Sequence, residues 1–207
     1  MKYPVVVVWP ALDRYDLVAA PGGVGLVHDF LSTASAGKPR EPDLLGGVSS
    51  AQRWVDGATR EWATTTGEER PAFGLTEPDC RVLREFRGAL LTALIDRAEP
   101  RAGDDSGRIT SPRAGARLEI ELDADGIVRV FARGNGWRAV VAWVLSEVYR
   151  AQQSGEWSRL KACRNDRCRG VFYDRSRNNS GVWHDVRSCG NAINLRASRA
   201  RRKQGTH

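Results

Sequence analysis

Three of the four cysteines in this 207-residue chain fall within its last 45 residues, and their spacing restricts what that end can fold into. Cys163 and Cys168 form a Cys-x4-Cys pair, and after a fifteen-residue gap His184 and Cys189 form a His-x4-Cys pair. Three thiolates and one imidazole complete a tetrahedral set for one zinc ion, with no open position for catalysis, so the metal is expected to be structural. The stretch between the pairs is poor in Leu, Ile and Val and has little core of its own, so a metal replaces one. Cys80 lies far away on an expected helix and reads as packing. His28 and His207 lack the ligand spacing. The string from Met1 to Pro10 does not read as a secretory leader, so reduced thiols and a cytoplasmic location are expected.

Charge singles out the same segment. Residues 157–207 carry thirteen Lys and Arg against Asp166, Asp174 and Asp185, a net +10, which leaves −3 for the other 156 residues of a chain at +7. A weakly acidic body with a concentrated basic end is the electrostatic footprint of phosphate-backbone binding. Spacing on the terminal helix places Arg196, Arg199 and Lys203 on one side, with Arg201 and Arg202 between, opposite Ile193, Ala197 and Ala200. These five, with Arg175 and Arg177 from the preceding hairpin, are the candidate phosphate contacts. The longest apolar run, Val5 to Trp9, is far too short to span a bilayer and reads as a buried strand.

Periodicity divides the chain into an α+β arrangement. Residues 1–153 read as a mainly helical unit with a β-hairpin, expected to fold without the rest. Leu26, Val27, Phe30 and Leu31 make a helical face. Ser49-Ser50 is expected to cap a helix carrying Ala51, Trp54, Val55 and Ala58 on one side. Thr76 caps a longer helix with Pro78 in its first turn and Val82, Leu83, Phe86, Leu90 and Leu94 at helical spacing. Arg117–Leu122 alternates, Asp123–Gly126 turns, and Ile127–Phe131 returns as a hairpin. Trp137–Gln153 is a long apolar helix. Residues 157–207 then read as a small treble-clef-like zinc unit. Cys163 and Cys168 lie on its knuckle, Val171–Tyr173 is a strand, Asn178–Gly181 a turn, and Trp183-His184 lie on the returning strand. Cys189 opens the terminal helix, and Gly190 lets backbone N–H groups approach the ligand sulfurs. Phe172 and Trp183 are expected to pack the small core rather than touch bases.

From Leu160 to Arg202 the chain resembles the CGNR zinc-finger family. The resemblance rests on Cys163 and Cys168, then Phe172-Tyr173-Asp174-Arg175-Ser176-Arg177-Asn178, then Trp183-His184 and Cys189-Gly190-Asn191-Ala192. His184 takes the place of the family's usual third cysteine, and Ala192 that of its arginine. Upstream, Leu26-Val27-His28-Asp29-Phe30-Leu31-Ser32-Thr33, with Asp43-Leu44-Leu45 and Ala51-Gln52-Arg53-Trp54, resembles the ABATE domain that precedes such fingers. The resemblance implies a bacterial, zinc-dependent DNA-binding transcriptional regulator whose N-terminal domain senses a small-molecule effector or a stress signal. The same basic helix serves an RNA-binding or ribosome-associated module equally well, and a small-molecule-binding protein or enzyme using its finger only for interactions is a further reading. The oligomeric state stays open, a homodimer included. No membrane partner is expected. No enzyme is expected either: a Walker lysine motif and a dinucleotide-binding glycine pattern are both missing, and adjacent residues such as His28 and Asp29 face different ways on a helix.

Overall fold

A computed structural model describes residues 8–35, 41–98, 117–193 and 195. Among these residues helices and two small antiparallel sheets follow one another: α1 Pro10–Asp13, α2 Val24–Leu31, α3 Val48–Thr66, α4 Glu77–Ala98, β1 Leu118–Leu122, β2 Val128–Ala132, α5 Gly136–Ser154, β3 Leu160–Ala162 and β4 Val171–Tyr173. A 3-10 turn, Glu156–Arg159, joins α5 to β3, and a π-helical turn, Val186–Gly190, carries the last cysteine. The α+β class read from periodicity is the observed one.

Helix α2 is the hub. All eight of its residues are buried, because α1, α3, α4, α5 and β4 surround it. Its Phe30 ring lies 5.7 Å from Trp54 of α3 and 5.6 Å from Phe86 of α4. A second aromatic group joins α3 to α5, with Trp62 edge-on to Trp143 at 5.7 Å and Phe73 5.4 Å from Trp143. Phe30 and Trp54 are both essentially solvent-free and pack on each other.

Capping is partly as the sequence implies. Thr76 stands before α4, and the Asp79 carboxylate accepts from its N–H at 2.7 Å and its hydroxyl at 2.5 Å. The other Asp79 oxygen accepts from Trp137 N–H at the start of α5, so one side chain closes two helix N-termini. Helix α3 departs from expectation. Gly47 precedes it, and Ser50 lies within its first turn, donating to Gly47 O at 2.9 Å. Of the strand expected at Val5–Trp9 only Val8 and Trp9 are described; Trp9 buries its ring at the start of α1.

The polar residues of α2 act as staples. Asp29 accepts from Ala11 N–H at 2.7 Å, Leu12 N–H at 3.0 Å and Trp54 Nε1–H at 2.8 Å, holding α1 and α3 together. His28 Nε2–H donates to Val171 O of β4 at 3.1 Å, across 143 residues of sequence. Burial pushes the Asp29 carboxyl up to about 6, against the opposing pull of its donors and of Arg14. Burial pulls the His28 imidazole down to about 4, with Arg175 also disfavouring its cation. The two neighbours therefore bias stability in opposite senses. His28 is neutral in the fold while the unfolded chain protonates, so its contribution falls as pH drops from about 6.5 towards 4. Asp29 keeps its proton in the fold while the unfolded chain has lost it, so its contribution falls as pH rises from about 4 to 6. Asp29→Asn should unmask the histidine. Relative to wild type, its stability should gain about 2 kcal/mol between pH 4 and 6 in denaturant titrations at stepped pH. A constant difference across that interval would show that Asp29 does not titrate in the fold.

The core does not stop at residue 153. Leu160, Ala162 and Val171 belong to the same buried cluster as the helices, and β3 packs on α4. Arg97 of α4 donates to Leu160 O and lies over Trp157, 5.0 Å from its ring centre. Three apolar side chains of β3 and β4 thus join the core that periodicity assigned to residues 1–153.

Candidate metal centre

Residues 163–170 form the loop of the β3–β4 hairpin. Cys163 N–H donates to Gly170 O at 2.8 Å, closing the loop, and Arg164 N–H donates to Val182 O at 3.1 Å, drawing in the segment that carries His184. Inside the loop Cys168 N–H and Arg169 N–H both donate to Asn165 O, at 2.7 and 3.0 Å, and Arg169 turns through a left-handed φ of 52°. This is the expected knuckle. The expected returning strand is absent: Trp183-His184 lie in irregular chain, and the strand partner of β4 is β3, which precedes the knuckle. Cys189 is reached through the turn Val186–Gly190, whose N-terminus Asp185 caps by accepting from Arg187 N–H at 2.8 Å and Ser188 N–H at 3.2 Å.

These segments bring Cys163, Cys168, His184 and Cys189 together, all four donor atoms lying within 4.8 Å of one another. Tetrahedral zinc with the usual bond lengths needs donor separations of roughly 3.5–3.8 Å, so the set closes on a metal with small adjustments. His184 presents Nδ1, which lies 3.3 Å from Cys168 Sγ. Cys163 and Cys189 are buried, whereas Cys168 and His184 are half-buried. The donor set is one that zinc takes in structural sites, and the four residues constitute one structural zinc site.

Electrostatics reinforce the fit. The Cys168 thiol and His184 both hydrogen-bond to the Cys163 sulfur and hold the Cys163 thiol below its ordinary value. The same contact, with burial, pushes the Cys168 thiol far up. His184 is raised chiefly by its bond to Cys163. The Cys163–Cys168 pair therefore holds one negative charge readily and a second only at high cost. A divalent cation at the centre of the cluster is what lets all three thiols ionise.

Donors support each of the sulfurs: Asn165 Nδ2 to Cys189 at 3.2 Å, Gly170 N–H to Cys168 at 3.3 Å, and the backbone N–H groups of His184 and Asn165 to Cys163. The sequence reading gave this task to the backbone at Gly190, whose N–H instead donates to Asp185 O. Gly190 is small for another reason. A Cβ there would lie 3.2 Å from the Trp183 ring.

The part of the site that sequence reasoning missed is the polar post beside it. Asp174 follows β4 and is buried. Its carboxylate accepts from Lys161 Nζ at 2.7 Å, Ser176 N–H at 2.9 Å and Gly181 N–H at 2.6 Å, and Lys161 also donates to Asn179 O and Gly181 O. Burial alone would raise the Asp174 carboxyl; the ammonium and the N–H donors outweigh it and hold it below the ordinary range. Any side chain at residue 181 would collide with this carboxylate, since a Cβ would come within 2.8 Å. The post folds residues 174–181 back so that 183–184 reach the knuckle. Its only trace in the sequence is the aromatic-Asp-x-Ser pattern. Asp174→Ala strands the half-buried Lys161 ammonium and should cost about 3 kcal/mol in thermal or denaturant melts, with zinc affinity falling roughly tenfold in chelator competition. A loss under about 0.5 kcal/mol would mean that the post is ornamental.

Of the candidate phosphate contacts, Arg175 and Arg177 are exposed. Arg175 donates to Ala19 O at 2.6 Å and its guanidinium lies 5.4 Å from the Tyr173 ring centre. Arg196, Arg199, Arg201, Arg202 and Lys203 lie outside the described residues. Cys80 is buried in α4 among core residues, away from the cluster. Among the described residues no helix is long and apolar enough to cross a membrane.

No curated protein matches the chain. Residues 159–202, about a fifth of its length, match the family model of the CGNR zinc finger, and all four clustered ligands fall within that span.

Proposed function

We propose that the protein is a zinc-dependent DNA-binding transcriptional regulator, its finger holding duplex DNA and its ABATE-like N-terminal part sensing an effector or a stress signal. The observation that carries this reading is the coincidence of a closed zinc site with the +10 segment. A metal with four protein ligands has no position left for substrate, so its work is to shape a scaffold. What that scaffold presents is arginine. Arg175 and Arg177 flank the Asp174 post, and the basic run from Arg196 to Lys203 begins seven residues after the last ligand. Phosphate contacts from such residues position a protein on a duplex without reading its bases. Ala192, where related fingers carry arginine, leaves this chain without that contact, so Ala192→Arg should tighten binding.

The surroundings of His28, Asp29, Ser32 and Thr33 support a packing role for them. All four are buried, and their hydrogen bonds serve helix packing. The test is competition for the zinc-loaded protein between a duplex DNA and a structured RNA of equal charge. The regulator reading expects the duplex to win; an RNA preference would assign the finger to RNA.

A further inference from the structure

The β1–β2 ribbon has one wholly apolar face. Its register pairs Leu118 with Ala132, Ile120 with Val130 and Leu122 with Val128 on that face, and Glu119 with Phe131 and Glu121 with Arg129 on the other. A core-forming face should be covered, and beyond Ala132, which packs against the helical core, most of this one is not. Leu118 is 41% exposed, Ile120 69%, Leu122 70%, Val128 61%, and Ile127 in the turn 52%. At roughly 200 Å² for a fully exposed Leu or Ile, the four side chains Leu118, Ile120, Leu122 and Val128 of this face present on the order of 500 Å² of apolar surface, the size of patch that marks an interaction site.

We infer that this face is a homodimer interface, covered by the same face of a second copy of the chain. Three observations select that occupant. The first is charge. The ribbon's ionic groups are satisfied on their own chain: Arg133 with Glu119 and Glu121 at 2.8 and 3.3 Å, and Arg129 with Asp123 at 3.0 Å and Glu68 at 3.7 Å. The face itself bears no charge, so it offers nothing to nucleic acid or to a charged peptide and suits only a partner as apolar as itself. The second is area. About 500 Å² is more than half of the ~800 Å² that each partner contributes to a stable interface, and the rim of the ribbon can supply the remainder. The third is shape. By residue size the face tapers from the Leu122–Val128 pair to the Leu118–Ala132 pair, where Ala132 packs against the helical core. A two-fold axis near the Ile120–Val130 pair sets the bulky end of one ribbon against the slim end of the other, which is the self-complementarity that an isologous contact requires. Stacking also answers a local weakness. A lone two-stranded ribbon is marginal in water, and two stacked ribbons enclose a core.

The proposal concerns the N-terminal part and does not rest on the nucleic-acid reading. It is tested by sedimentation velocity on the zinc-loaded full chain across the micromolar range, with hydrogen exchange on the ribbon amides alongside. The expected result is a concentration-dependent monomer–dimer equilibrium in which protection of residues 118–132 rises with the dimer. Ile120→Lys and, separately, Leu122→Lys should weaken association at least ~100-fold. Both should leave zinc content and the main melting transition unchanged, since these side chains are exposed. Ile120→Leu should associate as wild type does. A monomer at every concentration, or a dimer indifferent to both lysine variants, overturns the proposal. Duplex binding measured on the same samples keeps the two readings apart, because either can fail while the other holds.

Discussion

Removing the metal with a chelator unfolds the finger and lowers the melting temperature of the whole chain. The first half follows from the ligand set: without a cation, three thiols and an imidazole within 4.8 Å of one another cannot all take the forms that bind metal. Structural zinc contributes about 10–16 kcal/mol to the folding of isolated finger peptides, so the stake is large. The second half follows from packing, because Cys163 and Cys168 terminate a loop whose flanking strands place Leu160, Ala162 and Val171 in the common core. Purified protein should carry one zinc per chain. Cys163→Ser and Cys189→Ser should each weaken zinc at least ~1,000-fold in competition with a chromogenic chelator. His184→Cys should retain it, since zinc accepts either donor, whereas His184→Ala should weaken it and open a position to water. Full zinc content and unchanged melting in His184→Ala would name another fourth ligand.

Cutting the chain after Gly155 should also destabilise the helices. The fragment loses three buried side chains of the hairpin, worth about 5 kcal/mol together by apolar burial. It also loses the Val171 carbonyl that His28 uses. Its Nδ1 has no partner among the described residues, so both nitrogens of a solvent-free imidazole would then lack one. A loss of this size approaches the whole stability of an ordinary domain. The truncated protein should melt about 10–20 °C below the full chain, or without a cooperative transition. Equal melting temperatures would show that the helices need nothing from the hairpin, as the charge and composition boundary near residue 155 had suggested.

That boundary shows where reading the sequence succeeds and where it stops. Local patterns were legible. The faces of α2, α3 and α4, the β1–β2 register and the four metal ligands all follow from periodicity or spacing, because each depends on residues close together in the chain. The Thr76 cap was visible for the same reason. Long-range partners were not. Nothing near His28 in sequence announces Val171, and nothing near Asp79 announces Trp137. Leu160–Ala162 is too short a run to show alternation, so the strand that pairs with β4 went unseen and Trp183-His184 took its place. The Lys161–Asp174 post was hidden because a charged pair thirteen residues apart looks like surface until burial is known. The Gly47 start of α3 was masked by the stronger capping preference of the serines that follow it.

The central claim, that a zinc-ordered basic finger holds nucleic-acid phosphates, is tested most directly by titrating a duplex DNA with zinc-loaded protein at a series of salt concentrations. The account predicts a linear fall of log affinity with log salt, with a slope of roughly −0.9 for each phosphate neutralised. Replacing Arg196, Arg199, Arg202 and Lys203 together by alanine should flatten that slope by several units and leave zinc content unchanged, since none is a ligand. The metal-free protein should lose the steep dependence along with the fold of its finger. The result that would contradict the account is a zinc-loaded protein that shows no binding to duplex DNA even at low salt, where phosphate attraction is strongest.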